Sequence, residues 1–301
     1  MLRRFGFFRK RWWPTRINPE RAVIPLSKAT PAIQFVGSVT GFSSSPGGAI
    51  TLDLTALTGG VDSAAREGDT VIIATMVRRD GDVTMGVQTA GYTSLADLYQ
   101  DDAQDGMNLG VLRKKMGVVP DTSVITNDYG SGRTAAVAYV LRNVDETTPL
   151  DVSAVTAVGT GTGAPDPGSI TPVTSGSVVL SIAAGKTTDK VAMTTSAGYS
   201  NPAVVVNTSQ SRYAQCGVSM KAWTSGAENP GAWTGAFEPT NASWCAVTLA
   251  LRKGPFHRES QVILAAHTDG LIATSTVAAT AEGMVATKPG EAAISATGTL
   301  V

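Results

Sequence analysis

The sequence predicts an all-β protein, a pseudo-duplicated antiparallel β-sandwich of jelly-roll-like type. The composition is rich in Gly, Thr, Ser, Ala and Val, and only 16% of residues are charged, which is typical of strands separated by tight turns. Short apolar runs bounded by Gly, Pro, Asp and Asn follow one another from residue 33 onward, without a long helical period. An internal repeat gives the third observation.

Eight runs are predicted to form strands. They are IQFVGSVTG (33–41), AITLDL (49–54), DTVIIATMV (69–77), MNLGVLRKKM (107–116), TAAVAYVLR (134–142), SVVLSIAAG (177–185), YAQCGVSMKAW (213–223) and WCAVTLALR (244–252). Several alternate apolar with small or polar residues, as strands with one solvated face do. We therefore expect several of these strands to be half-buried.

Four blocks of sequence recur in the same order, 107 to 110 residues later. The pairs are GDTVIIATM with GSVVLSIAA (from Gly68 and Gly176), AGYTSL with AGYSNP (around Tyr92 and Tyr199), GVLRKKM with GVSMKAW (from Gly110 and Gly217) and AVAYVLRN with AVTLALRK (from Ala136 and Ala246). The repeat predicts halves at about 32–157 and 170–253, separated by the turn-rich VGTGTGAPDPGSITP (158–172). One sandwich shared by both halves is favoured, and two separate small β domains are the alternative.

The N-terminal segment 1–31 is predicted to be a basic-aromatic anchor arm and linker. Its first 21 residues carry seven basic side chains and one acid, whereas the whole chain has no net charge. The basic residues interrupt every apolar run, so no secretory signal peptide is expected. The candidate partner-anchoring residues are the arginines and aromatics of MLRRFGFFRKRWW, namely Arg3, Arg4, Phe7, Phe8, Arg9, Arg11, Trp12 and Trp13.

Two other interpretations of this arm are weaker. A nucleic-acid tether would use Arg and Lys on phosphates and aromatics on bases, but the rest of the chain is net acidic. Membrane association would require an amphipathic helix, which Pro14 would end early. We therefore expect neither a nucleic acid nor a membrane as partner.

The C-terminal extension 254–301 is Ala/Thr-rich, with weak strand patterns and methyl-sized side chains. Such a segment buries little apolar area by itself. It gains order by packing on its own domain or by adding strands to another copy. We expect an assembly contact and a homo-oligomer.

No catalytic or cofactor motif is expected. Both histidines, His257 and His267, lie outside the repeated region, and GTGTGAPDPG lacks the Lys-Ser/Thr of a phosphate loop. The acid-rich turn ADLYQDDAQDG offers a weak calcium candidate at Asp101, Asp102 and Asp105, with a solvated loop as the alternative. Metal and cofactor are otherwise predicted to be absent.

The sequence also predicts the environment of one tryptophan and of the two cysteines. Trp233, in the turn NPGAWTG, is a possible ligand-facing aromatic, whereas the repeat-matched tyrosines are expected to pack in each half. Cys216 and Cys245 lie in alternating apolar runs, which favours buried free thiols. A bridge between adjacent strands is the alternative for these two cysteines.

The phrases GDTVIIATMV, the AGY turns, YVLRNVDETTPLD and WCAVTLALR together resemble a duplicated β-sandwich module of tailed-phage, prophage and gene-transfer-agent virion proteins. The resemblance covers residues 32–253. It implies a non-enzymatic structural protein of the tail fibre, spike, head fibre or decoration type.

The resemblance also implies partners and a location. The expected partners are other virion proteins of the capsid, neck or tail and a host surface glycan in host attachment, and the expected location is the virion, after assembly in the host cytoplasm. The alternative function is a carbohydrate-binding or carbohydrate-active cell-surface protein.

Overall fold

The computed structural model describes residues 31–254, except 103, 162, 210–211 and 239–241, together with two short strands at 266–268 and 271–273. Within this part of the chain there is no helix. The strands are β1 Gln34–Phe42, β2 Thr51–Asp53, β3 Thr70–Arg79, β4 Thr93–Gln100, β5 Gly106–Lys115, β6 Ser123–Ile125, β7 Arg133–Arg142, β8 Leu150–Gly159, β9 Val178–Thr187, β10 Ser200–Asn207, β11 Tyr213–Ala222, β12 Trp244–Leu251, β13 Ala266–Thr268 and β14 Leu271–Ala273. The all-β prediction is confirmed.

The strands form two five-stranded antiparallel sheets, ordered β1-β7-β3-β5-β4 and β8-β12-β9-β11-β10. If the strands of each sheet are lettered a to e in chain order, both sheets read a-e-b-d-c. Blocks of the sequence repeat therefore occupy equivalent strands of the two sheets. Descent from one duplicated half stays an inference from the sequence.

The connectivity is simpler than that of a jelly roll. Each sheet is built from one continuous stretch of chain, and the chain passes between the sheets once, from β7 to β8. A jelly roll is instead built from two Greek keys. The second sheet also begins earlier than expected, because β8 starts at Leu150 and the sequence had placed the end of the first half near 157.

The sheets pack face to face, and the strand order of one sheet runs in reverse relative to the other. The middle strands β3 and β9 contact each other across the core, and on either side β7 contacts β11 and β5 contacts β12. At the edges, β1 faces β10 and β4 faces β8. Apolar side chains from both sheets form one core cluster between them, including Ile72, Leu109, Leu180 and Val247. This arrangement is a β-sandwich in which each half of the chain supplies one layer.

The expectation of half-buried strands is wrong for the central ones. Every residue of β9 and all but the last of β3 are buried, because loops and the small β2-β6 sheet cover the outer faces. Val71 and Ile73 on the outer face of the first sheet, for example, belong to a cluster with Leu52 of β2 and Val124 of β6. Small side chains in the sequence leave room for these outer layers.

Two repeat-matched glycines show how the covering loops sit so closely on the sheets. A Cβ on Gly110 of β5 would lie 2.4 Å from the Cβ of Met85, and one on Gly217 of β11 would lie 2.6 Å from Cε of Met193. Real atoms do not approach so closely. A glycine at each position therefore lets a loop methionine lie flat against the outer face of its sheet.

A second pair of matched contacts lies at the far end of the same strands. Lys114 Nζ lies 2.7 Å from Asp121 Oδ2 and 5.4 Å from the centre of the Tyr92 ring. In the second sheet Lys221 Nζ lies 2.9 Å from Glu228 Oε1 and 5.8 Å from the Tyr199 ring. Each residue of the second set follows its counterpart by 107 positions. Both tyrosines pack within their half, as the repeat suggested.

Candidate functional site

Charged side chains gather at one end of the sandwich, where β3 and β9 end and the β4–β5 turn closes. These strands are apolar until their last residues, so the charges fall at the rim of the core. The cations are Arg78, Arg79, Arg133, Lys186 and Arg212, and the acids are Asp80, Asp102, Asp105 and Glu238.

Lys186, in β9, is the most deeply placed of these cations. Its side chain is fully buried and pairs with the carboxylate of Asp102, whose side chain is 3% exposed. The same carboxylate accepts hydrogen bonds from the backbone N–H groups of Gln104, Asp105 and Ser243. Burial alone would raise the pKa of Asp102, but these donors and Lys186 hold that pKa at about 2. A carboxylate of one sheet therefore neutralises a buried cation of the other.

Arg78, in β3, makes the reciprocal connection. Its guanidinium is 1% exposed and lies 3.1 Å from Asp105 Oδ2 and 2.6 Å from Glu238 Oε1. It also donates to the carbonyl of Tyr213 at 2.9 Å. Glu238 and Tyr213 belong to the second half of the chain. Arg78 and Lys186 are repeat-matched, 108 residues apart, and each pairs with an acid of the opposite half.

An open pocket of about 270 Å³ lies beside Arg78, lined also by Arg79, Asp80, Asp105 and the loop Ser131-Gly132-Arg133. Arg133 stands out in it. Its Nε is buried and has no hydrogen-bond partner within the described part of the chain. Burial, together with the charge of Arg78, lowers the pKa of Arg133. This end of the sandwich thus combines satisfied ion pairs with one cation that lacks an acceptor.

The acid-rich turn does not support the calcium interpretation. Asp102 is paired with Lys186, and Asp105 Oδ2 receives both Arg78 and Arg212, the latter at 2.9 Å. Asp101 accepts a hydrogen bond from the Tyr99 hydroxyl at 2.8 Å. Cationic and hydroxyl groups occupy the oxygens that calcium would need. Among the described residues, no His, Cys, Asp or Glu group is arranged to hold a metal.

The suggestion that Trp233 faces a ligand is wrong. Its side chain is fully buried on the outer face of the second sheet, in a cluster with Ala183 and Met193. The indole Nε1 donates to Ser181 Oγ at 2.9 Å. The turn that precedes Trp233 folds back over the sheet, so an aromatic that looked exposed in sequence fills the space above Gly217.

Cys216 and Cys245 are free and buried, as the sequence favoured. Ala184 of β9 is the register partner of both, so the two cysteines are two strand spacings, or about 10 Å, apart. A disulfide requires Cα atoms within about 7 Å, which excludes the adjacent-strand bridge. Each thiol instead points across the sandwich, with Cys245 Sγ 3.3 Å from the carbonyl of Met107.

We expect neither thiol to react with Ellman's reagent in the folded protein. Burial raises the pKa of both thiols to about 12, and the thiolate is the reactive form. Both should react once the chain is unfolded in guanidinium chloride, and absorbance at completion should correspond to two thiols per chain. Rapid labelling of the native protein would contradict the burial of these two residues.

The proposed anchor residues of the arm lie in 1–30, outside the described residues, as does most of the C-terminal extension. The anchor role of Arg3, Arg4, Phe7, Phe8, Arg9, Arg11, Trp12 and Trp13 therefore stays a prediction. Within the described ranges, no helix has the length and hydropathy needed to cross a membrane.

The residues that dominate the charged end escaped the sequence analysis. Arg78, Lys186 and Arg133 each stand at the end of an apolar strand, where a solvated position is the ordinary expectation. The available signal was the repeat, because the 108-residue offset of its first pair of blocks aligns Arg78 with Lys186, two residues beyond the end of each block.

Comparisons with protein-family models, with curated proteins and with solved structures find no match to this chain.

Proposed function

We propose that the protein is a non-enzymatic structural component of a phage-like virion, of the fibre, spike or decoration type. In this proposal the N-terminal arm fixes it to another virion protein, and the sandwich is displayed on the particle, where it contacts a host surface glycan. The proposal rests on the sequence resemblance of residues 32–253 and on one structural observation, the open edge of β8.

β8 is an edge strand of the second sheet, and among the described residues it pairs only with β12. From Val152 to Gly159 it has no charged residue and no proline. Within the described part of the chain, these residues make no backbone hydrogen bond outside the β8–β12 ladder. An edge with these properties can accept a strand from another chain. It supports a protein that functions in an assembly.

The other three edges are protected, which makes β8 distinctive. β1 is covered by a loop whose Thr58, Val61 and Asp62 hydrogen-bond to it through the backbone. β10 contains Pro202 and an irregularity in its pairing with β11. β4 carries Asp97, whose carboxylate accepts from the backbone N–H of Met85. Charges, prolines and bulges are the usual means of blocking unwanted strand pairing.

The ion pairs of the charged end also fit a structural role. Arg78 and Lys186 bind acids of the opposite half, so these buried charges hold the two sheets together. Trp233, the aromatic that the sequence offered as ligand-facing, is buried, so it does not support the carbohydrate-binding alternative.

Deleting residues 1–20 should leave a folded sandwich that no longer enters particles. The charged-end ion pairs and both sheets lie beyond residue 30, whereas the candidate anchors Arg9, Arg11, Trp12 and Trp13 are removed. Antibody labelling and blotting of purified particles from cells expressing either form would measure incorporation. The unfolding transition of the purified variant checks its fold.

Normal incorporation of the truncated protein would refute the anchor role, and absence of the full-length protein from purified particles would refute the virion assignment. Release of reducing ends from purified surface polysaccharide would instead support the carbohydrate-active alternative.

A further inference from the structure

We propose that the pocket beside Arg78, Arg79 and Arg133 binds an oxyanionic group, a carboxylate or phosphate, either free or carried on a glycan. This inference is independent of the proposed virion role. It follows from the placement of three guanidinium groups around one open space and from the fact that two of them, Arg79 and Arg133, form no ion pair within the described residues.

Arg133 supplies the first argument. It is the first residue of β7, and its side chain is half-buried while its Nε is fully enclosed without an acceptor in the described part of the chain. Because Nε itself is enclosed, an oxyanion in the pocket would bind the outer nitrogens of this guanidinium. A guanidinium donates strong charge-assisted hydrogen bonds to a carboxylate or phosphate.

Arg79 supplies the second argument. Its Nε donates to the backbone carbonyl of Asp80 at 3.1 Å, and its Nη1 donates to that of Tyr129 at 2.6 Å. These carbonyls fix the guanidinium but carry no net charge, and no carboxylate within the described residues forms an ion pair with it. The pocket therefore contains two held cations without a carboxylate partner, Arg79 and Arg133.

The acids of the pocket do not cancel this charge. Asp105 is shared between Arg78 and Arg212. Asp80 is then the one remaining acid among the pocket-lining residues, and it is outnumbered by Arg79 and Arg133. The loop that forms the opposite wall adds a neutral donor, the exposed hydroxyl of Ser131. Gly132, at φ +98°, allows this loop to approach the β3 backbone, where a Cβ would lie 2.5 Å from the carbonyl oxygen of Arg78.

The volume of about 270 Å³ indicates the size of the group that this open pocket can surround. This volume is several times the roughly 30 Å³ that one water molecule occupies in the liquid. It is slightly smaller than the pockets of about 300–1,000 Å³ that bind drug-sized ligands. Inorganic phosphate or a single uronic-acid residue meets these limits. The two differ in source, since phosphate can be free and the uronate would be part of a glycan.

The test measures binding of two probes, inorganic phosphate and galacturonate, to the full chain by titration calorimetry in chloride buffer of matched ionic strength. We expect both to bind to the wild type. Arg133→Gln should weaken binding about tenfold to a hundredfold, because one charge-assisted contact is lost. Arg133→Lys keeps the charge but lacks the planar guanidinium group. Its affinity for the probes should lie between that of the wild type and that of Arg133→Gln.

Arg113→Gln is the matched control. Arg113, in β5, also has a buried Nε without a partner in the described chain, and burial lowers its pKa too, but it is not among the pocket-lining residues. Its replacement should leave the affinity for both probes unchanged. The unfolding temperature of each variant in chloride verifies that it is folded.

Binding of phosphate alone would support the site with free or esterified phosphate as its ligand, and binding of galacturonate alone would support an acidic glycan. The proposal is overturned if the wild type binds neither probe, or if Arg113→Gln weakens binding as much as Arg133→Gln.

Discussion

Replacing Asp102 with asparagine is expected to destabilise the protein by about 3–5 kcal/mol, because the change breaks a buried ion pair by removing the carboxylate that binds Lys186. Lys186 is fully buried, and Asp102 is its ion-pair partner. The asparagine Oδ1 can still accept from the backbone N–H groups of Gln104 and Asp105. Its NH2 group replaces the oxygen that accepts from Lys186 and from the backbone N–H of Ser243, so the loss reports on both of these contacts. Equilibrium unfolding in urea measures the change in free energy of unfolding.

Two controls separate this effect from general damage. Adding Lys186→Met to the Asp102→Asn variant also removes the buried ammonium group, and should recover much of the lost stability. Glu146→Gln breaks the more exposed pair of Glu146 with Lys115, and should cost less than about 1 kcal/mol. Equal losses in Asp102→Asn and Glu146→Gln would contradict the structural role assigned to the buried pair.

The difference between wild type and Asp102→Asn should depend on pH in a defined direction. The pKa of Asp102 is about 2 in the folded protein, compared with an ordinary value of 3.8. A carboxyl with a lowered folded pKa contributes stability that is present above its unfolded pKa and is lost as the pH falls towards the folded pKa. The stability difference should therefore be constant above about pH 5 and shrink between pH 4 and pH 2.

Replacing Trp233 with alanine is expected to cost about 3–5 kcal/mol, the range for removing a large buried aromatic. The indole fills the space above Gly217 and Met193, and its Nε1 donates to Ser181. Trp233→Phe should cost less, because it keeps most of the packing and loses the hydrogen bond. The free energy of unfolding in urea again gives the measurement.

Trp223→Ala provides the comparison for Trp233. Trp223 is only half-buried, and its Nε1 donates to the backbone carbonyl of Gly226, so its loss should be the smaller of the two. If Trp233→Ala leaves stability unchanged, Trp233 is not the core residue that the structure describes.

The fold class was predictable because it depends on features that the chain carries locally. Runs such as DTVIIATMV and SVVLSIAAG are β-branched, apolar and bounded by turn residues, and their recurrence indicated two comparable layers. β8 was missed because its sequence, LDVSAVTAVG, consists mostly of small residues. Its strand conformation depends on pairing with β12, about a hundred residues later in the chain.

The charged end was not predictable for a different reason. Whether Arg78 or Lys186 is buried depends on the β4–β5 turn and on the segment before β12, which are distant in sequence. Trp233 illustrates the same limit, because its burial comes from a loop folding over Ser181 and Gly217. Local pattern identifies a strand end or a turn, but not what covers it.

The chain passes only once between the two sheets, and this has a consequence for how the two layers are related. Arg142 ends the first sheet and Leu150 begins the second, so a short connection is the covalent link between two layers of equivalent topology. Neither layer can shield its inner face alone, and the cations at their ends pair reciprocally. The protein is organised like an obligate twofold dimer, with an isologous interface, whose subunits have been tethered into one chain and thereby always meet at equal stoichiometry.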